Sequence, residues 1–364
     1  MLTTVVAFVL SWITALVVLR LARTRGIGLD DDLGSQRRFH VAAVPRLGGL
    51  CVGLGLVAAA VAAYFKDLLT VPEALAWLPG PLLALAVGAA EDVTKRVSVS
   101  ARLLACLAIG AAMAAGWGVR LPRLDIALAD PWLQLAWVAV PLTAMMLAGL
   151  GNAFNIIDGY HGLAGVVAAV MFASLGIVAL RVGDLAVLQL CLGSIGAIVG
   201  FLIWNYPRGH LFLGDGGAYF LGFLAGTLGI VLVARHAQVS AWFPALLFIY
   251  PVVETLFSIW RRVVLRKRSA SAPDAAHLHH LLYKRMVRWA VGSAAPEHKN
   301  QRNALTSPYL WILSSLAATP AVVFWDKPHV LMMFCAVFVV SYLWLYARIV
   351  RLRAPRWMMI RRRP

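Results

Sequence analysis

Residues 132–180 read WLQLAWVAVPLTAMMLAGLGNAFNIIDGYHGLAGVVAAVMFASLGIVAL, and the fold turns on how this stretch is understood. Two apolar runs, 132–150 and 163–180, flank a short junction. Each run falls within the roughly 17–25 apolar residues that a membrane-crossing helix needs. A connection between two such segments needs one or two polar residues, yet this one holds Asn152, Asn155, Asp158 and His161. Asn152, Asn155 and Asp158 share one face of a helical end, and Gly159 and Gly162 then break the helix. A polar helix end explains one Asn and one Asp. It does not explain an aligned row.

The rest of the chain has the same character. Its 364 residues are 61% hydrophobic with a mean hydropathy of +0.80, whereas soluble domains are about half apolar. Only 13% of residues are charged, yet the formal net charge is +17. Positive charge concentrated between oily segments points to an integral membrane protein with a basic cytosolic face. A nucleic-acid binder would carry its basic residues on a soluble domain, so nucleic acid is excluded as a partner. Cys51, Cys106, Cys191 and Cys335 all lie in apolar runs without motif spacing, which suits helix packing rather than disulfides or metal. The first residues lack a basic leader and a clear cleavage site, so 2–21 reads as an uncleaved first span.

Applying the length criterion throughout gives an all-α integral membrane protein of about 11 transmembrane helices: 2–21, 47–65, 74–90, 103–118, 132–150, 163–180, 185–204, 218–234, 242–260, 309–325 and 330–347. The loops after the odd-numbered spans, with Arg20 and the C-terminal tail, carry 27 of the 33 Lys and Arg residues; the other loops carry 6. The positive-inside rule then places the N-terminus outside and the C-terminus in the cytoplasm. Within this single polytopic domain (1–364), residues 261–308 form the one long basic cytoplasmic loop and 348–364 a basic tail. Every polar cluster that resists a packing explanation falls on the predicted cytoplasmic side.

These clusters carry the chemistry. Glu91 and Asp92 follow the apolar LLALAVGAA; adjacent carboxylates at a membrane edge are either a solvated helix end balanced by Lys95 and Arg96, or metal ligands or acid/base groups facing a cleft. Asp215 sits among Gly214, Gly216 and Gly217 in FLGDGGA, either as a helix N-cap or as a hard oxygen donor suited to Mg2+. The amides and carboxylate of the 152–158 row can coordinate a metal or bind a phosphorylated sugar or uracil. His277, His279 and His280 in PDAAHLHHLL follow Arg261, Arg262, Arg266, Lys267 and Arg268, a setting that suits phosphate or pyrophosphate better than zinc. Arg37, Arg38, His40 and Arg46 can engage anionic lipid head groups, or simply obey the charge rule. Glu254, inside the ninth span, is a functional candidate by its position, or a tie across the bend at Pro251.

Taken in order, RRFH…P..GG, the carboxylate pair, NAFNIIDG…GL, FLGDGGA..LGF and PD..HLHH resemble the polyprenyl-phosphate N-acetylhexosamine-1-phosphate transferase family between about Arg37 and Leu282. The resemblance is to the glycan-initiating branch, which is related to the peptidoglycan lipid-intermediate translocase. It implies a Mg-dependent enzyme, with Mn2+ as an alternative ion. Sugar-1-phosphate would pass from a UDP-N-acetylhexosamine to undecaprenyl phosphate, releasing UMP, at the cytoplasmic face of a bacterial inner membrane. Membrane lipids would surround such an enzyme, and an oligomer is compatible with it. On this likeness Asp92, Glu91 and Asp158 are catalytic candidates, and Asp215 with Asp158 would hold the metal. Asn152, Asn155, His161, His277, His279, His280, Arg37, Arg38 and His40 would bind substrate. Glu91 stands where the family has Asp, and His161 replaces a carboxylate of the family's DGxDGL, removing an anionic position. Asp92 would deprotonate the lipid phosphate, position it, or act as a covalent nucleophile. A phosphate monoester with a second pKa of about 6 leaves a base little to remove.

Two other readings compete. A phospho-N-acetylmuramoyl-pentapeptide transferase would share the motifs and differ in donor. A polytopic transporter would place ionisable groups at mid-membrane on broken helices with a repeat between halves, and only Glu254 fits that pattern.

Overall fold

The computed structural model describes residues 1–26, 28, 44–265, 267, 269, 276–287 and 299–351. Arg37, Arg38 and His40 lie outside the described residues, as do Arg266 and Arg268. The chain is an all-helical integral membrane protein. Among the described residues, eight helical stretches are long and apolar enough to cross a membrane, with Val71–Thr94 counted as one, and Gly48–Tyr64 is a shorter apolar helix.

In chain order the helices are α1 (Leu2–Arg25), α2 (Gly48–Tyr64), α3 (Val71–Trp77), α4 (Pro79–Thr94), α5 (Val99–Gly116), α6 (Asp130–Leu133), α7 (Ala136–Ile157) and α8 (Leu163–Val182). They continue with α9 (Leu185–Asn205), α10 (Gly214–Arg235), α11 (Trp242–Leu247), α12 (Ile249–Trp260), α13 (Leu278–Leu282), α14 (Lys299–Val323) and α15 (Pro328–Val350). Helix α10 is the axis: nearly all of it is buried, and α2, α4, α7 and α8 pack around it. Helix α1 lies against α2 and α9.

Prolines account for two of the places where the observed helices depart from the expected spans. The stretch 242–260 is two helices because Pro251 donates no hydrogen bond and its ring clashes with the Leu247 carbonyl, so no helix runs through Phe248. Pro79 and Pro81 likewise divide the third span at Leu78, after α3 has been started by a capping box between Thr70 and Glu73. Helix α14 begins at Lys299, ten residues before the expected span, so part of the long basic loop is helical. Helix α5 begins at Val99 with Ser98 as N-cap, which brings Arg102 inside a helix.

Candidate active site

The site is built where α4, α5, α7 and α10 end or begin at one face of the bundle. Glycine permits the central contact. A methyl on Gly216 would lie 2.8 Å from the Ala89 nitrogen, so the α4 and α10 backbones meet directly. Gly214 takes a φ of 78° to start α10, a conformation that glycine adopts without strain.

This approach sets Asp92, 2% exposed, at the amino end of α10. Its Oδ1 accepts from the Asp215 amide at 3.0 Å and its Oδ2 from the Gly216 amide at 2.9 Å. The carboxylate of one helix thus satisfies two orphan N–H groups of another and faces the positive end of its dipole. Asp215, in the first turn of α10, is ion-paired with Arg102 from α5, and its Oδ1 lies 3.6 Å from Arg46. Arg46 also reaches to 3.9 Å from Asp92. Glu91 points elsewhere: its Oε2 accepts from the Val97 amide at 2.7 Å and closes the turn between α4 and α5, in which Lys95 adopts a φ of 57°.

Helix α7 runs through the polar row as far as Ile157. Asn152 and Asn155 are both half-buried on it, and Asp158 is the C-cap. Asn152 donates to the Ala148 carbonyl at 2.8 Å. The Asp158 carboxyl is pushed up to about 7 by burial; the Arg46 charge opposes this shift and the Asp92 charge adds to it. Asp158 is therefore close enough to feel the charges of Arg46 and Asp92. Its carboxylate accepts no hydrogen bond among the described residues.

The histidine motif closes the other side of this turn. Tyr160 Oη and His280 Nδ1 are 3.1 Å apart, and the Tyr160 ring packs edge-on against His279, with centroids 5.5 Å apart. His277 and His279 stack, with centroids 5.2 Å apart. His277 Nδ1 lies 3.0 Å from Glu254 Oε1. Burial, then the neighbouring His280 and His277, hold His279 well below the usual histidine range, so it is neutral.

His161 faces away from the carboxylates. Its ring Nδ1 lies 3.0 Å from the Pro207 carbonyl, so it donates there, and the ring packs 5.8 Å from Phe212. Its amide donates to Asn303 Oδ1 at 2.7 Å, and Ser307 donates to its carbonyl at 2.6 Å. Burial lowers its pKa. At this position the imidazole ties the 158–162 turn to the loop before α10, and the backbone of the same residue ties it to α14.

The side-chain donors on offer at this site are oxygens of the hard type. Among the described residues no three His, Cys, Asp or Glu converge into a metal cage. Asp215 and Asp158 carry hard carboxylate oxygens, the donor type that Mg2+ takes together with phosphates and water.

Comparison with known proteins identifies the family. A family model described as glycosyl transferase family 4 matches residues 74–233. A Bacillus subtilis (strain 168) protein named "Probable undecaprenyl-phosphate N-acetylglucosaminyl 1-phosphate transferase" is 30% identical over 285 residues, 78% of each chain. The chain belongs to glycosyl transferase family 4. A Yersinia pestis undecaprenyl-phosphate alpha-N-acetylglucosaminyl 1-phosphate transferase is 29% identical over 270 residues, 71% of this chain and 70% of its own. A Levilactobacillus brevis phospho-N-acetylmuramoyl-pentapeptide-transferase is 29% identical over 160 residues, 44% of this chain and 48% of its own.

The family match covers Asp92, the 152–161 row and Asp215, and stops short of the histidine motif. It also covers Arg102, a site residue that the sequence reading passed over. The available signal was a lone cation early in the apolar run VSARLLACL, where a buried charge demands a partner.

Proposed function

We propose that this bacterial multi-pass membrane protein transfers an N-acetylhexosamine-1-phosphate from a UDP-sugar to undecaprenyl phosphate at the cytoplasmic face of the inner membrane. An oxygen of the lipid phosphate attacks the β-phosphorus of the donor. A new P–O–P linkage forms, the bond from that phosphorus to the bridging oxygen breaks, and UMP departs with that oxygen. The product starts a lipid-linked glycan such as O-antigen, capsule or exopolysaccharide.

The observation that carries this reading is the meeting of Asp92, Asp215, Arg46 and Arg102 at the amino end of α10, beside Asp158. Two anionic phosphates repel, so such a site must neutralise charge and hold two phosphorus centres in line. Arg46 and Arg102 are permanently cationic and pair with planar oxygen groups. The helix dipole adds positive potential at the same place. Asp215 and Asp158 would hold Mg2+, which would supply positive charge to neutralise the donor diphosphate. Asp92 acts by fixing the start of α10, since both of its oxygens are engaged by amides. Asn155, one turn before Asp158, and the 277–280 histidines supply contacts to the sugar and the phosphates.

Relatives named for undecaprenyl-phosphate transfer align over 71–78% of the chain, while the pentapeptide transferase relative aligns over 44%. That difference favours the simple UDP-sugar donor over the muramoyl-pentapeptide donor.

The test uses purified protein, undecaprenyl phosphate, Mg2+ and a panel of UDP-N-acetylhexosamines. UMP release is measured together with sugar in the organic phase. The parent turns over and loses activity on chelation, and Asp215→Asn lowers kcat by about 10²–10³-fold, the usual loss when a charge-stabilising group is removed. Turnover only with UDP-N-acetylmuramoyl-pentapeptide would transfer the chain to the other branch. An undiminished Asp215→Asn enzyme would refute the site.

A further inference from the structure

Glu254 is a carboxylate that this mechanism leaves unused, and it is 1% exposed on α12. An unpaired charge so deep is costly, so its partners show what it is for. Oε1 accepts from His277 Nδ1 at 3.0 Å and from the Leu278 amide at 3.1 Å. Oε2 accepts from Tyr342 Oη, on α15, at 2.7 Å. All three partners lie outside α12, so the carboxylate does not tie down its own helix at Pro251. Tyr346, one turn beyond Tyr342, donates to the Ala276 carbonyl at 2.9 Å, so α15 holds this short segment directly there and through Glu254 at His277.

A carboxylate only accepts, which fixes the proton of His277 on Nδ1 and leaves Nε2 on the other side of the ring. His277 stacks on His279, and the next residue, His280, meets Tyr160 of the turn that carries Asp158. The position and tautomer of His277 therefore set the register of the whole HLHH motif against the carboxylate group.

We infer that Glu254, assisted by Tyr342, is the positioning residue of the histidine motif: it fixes the tautomer and orientation of His277 and through it seats His279 and His280 beside Asp158. This makes α12 and α15, which lie beyond the family-model match, part of the catalytic apparatus. The kinetic consequence rests on the transferase reading; the tautomer does not.

The experiment has two arms on the full-length protein in detergent. In the first, nitrogen spectra of 15N-histidine-labelled protein, assigned with His277→Ala, are recorded above the histidine titration range. His277 keeps Nδ1 protonated in the parent and in Glu254→Gln, whose side-chain carbonyl still accepts there. In Glu254→Leu the proton moves to Nε2. In the second arm, Glu254→Leu lowers kcat per folded enzyme by about 10²-fold, the scale of a misplaced catalytic group, and the double variant with His277→Ala is no slower than His277→Ala alone. Glu254→Gln stays within about tenfold of the parent, and Tyr342→Phe, which leaves the carboxylate in place, shows a smaller loss of the same kind. An unchanged His277 spectrum in Glu254→Leu overturns the inference, as do losses that add in the double variant. If His277→Ala itself turns over at the parental rate, it is the placing of the motif at the reaction centre that fails. The spectrum alone then decides the Glu254 link.

Discussion

Asp92 shows how a single residue can be legible in kind and not in role. Its position after an apolar run marks a carboxylate that must face something, and the choice between base, nucleophile and support depends on what each oxygen touches. Both accept amides of α10, so Asp92→Asn removes one acceptor and turns an N–H donor of its own toward the helix end. The expected cost is about 2–3 kcal/mol of stability, from an unsatisfied buried donor and the lost charge–dipole contact. Thermal unfolding in detergent should therefore fall together with turnover. An Asp92→Asn protein as stable as the parent and devoid of activity would instead mark Asp92 as a reacting group. Glu91, adjacent in sequence, differs because the helix turns it toward the Val97 amide. His161 was readable as an oddity in a polar row, but its direction was not, because Pro207, Phe212 and Asn303 reach it from remote parts of the chain.

At the scale of the element, helix-to-helix distance governs the site. Helix α10 lies against α4 at Gly216 with only backbone facing the missing side chain. Gly216→Ala would place Cβ 2.8 Å from Ala89 N and 2.9 Å from Leu85 O, neither of which can swing aside. Overpacking of this sort costs about 1–3 kcal/mol, and it also pulls the α10 amides away from Asp92. The control is Gly149→Ala on α7, where nothing lies within 4 Å of the added methyl. Melting curves should separate the two, with Gly149→Ala at or above the parent. A Gly216→Ala protein that melts with the parent and turns over normally would contradict the close contact. Existence and type of the long helices follow from apolar run length. The breaks at Leu78 and Phe248 could have been read from Pro79, Pro81 and Pro251, whereas the early start of α14 lies in polar sequence, KNQRNALTSP, that only packing makes helical.

Over the whole molecule, the two ends of α10 do different work. Its 22 residues span about 33 Å, from Asp215 at one end to Arg235 at the other. At the far end Arg123 donates to the carbonyls of Val233, His236, Ala237 and Val239, and Asp184 meets His236 at 2.9 Å and Arg235 at 3.4 Å. Arg123→Ala should lower unfolding stability by about 2–3 kcal/mol, since several carbonyls lose a charged donor. It should leave kcat per folded enzyme unchanged, because the site lies at the opposite end of the helix. A lowered kcat at full folding would show that the two ends are coupled. The sequence by itself determined the class of this protein, because apolar runs longer than a hydrocarbon layer have no other stable home, and the order of its polar clusters carried the family likeness. It also marked Asp92, Asp158, Asp215 and the histidines as residues that packing does not explain. Only the tertiary structure decided which of them meet and what each one does. Arg102 finds Asp215 across 113 positions of sequence, and Glu254 finds Tyr342 across 88. A buried charge is satisfied by whichever partner the packing of helices brings near, and helix packing is set by surfaces that no local pattern records.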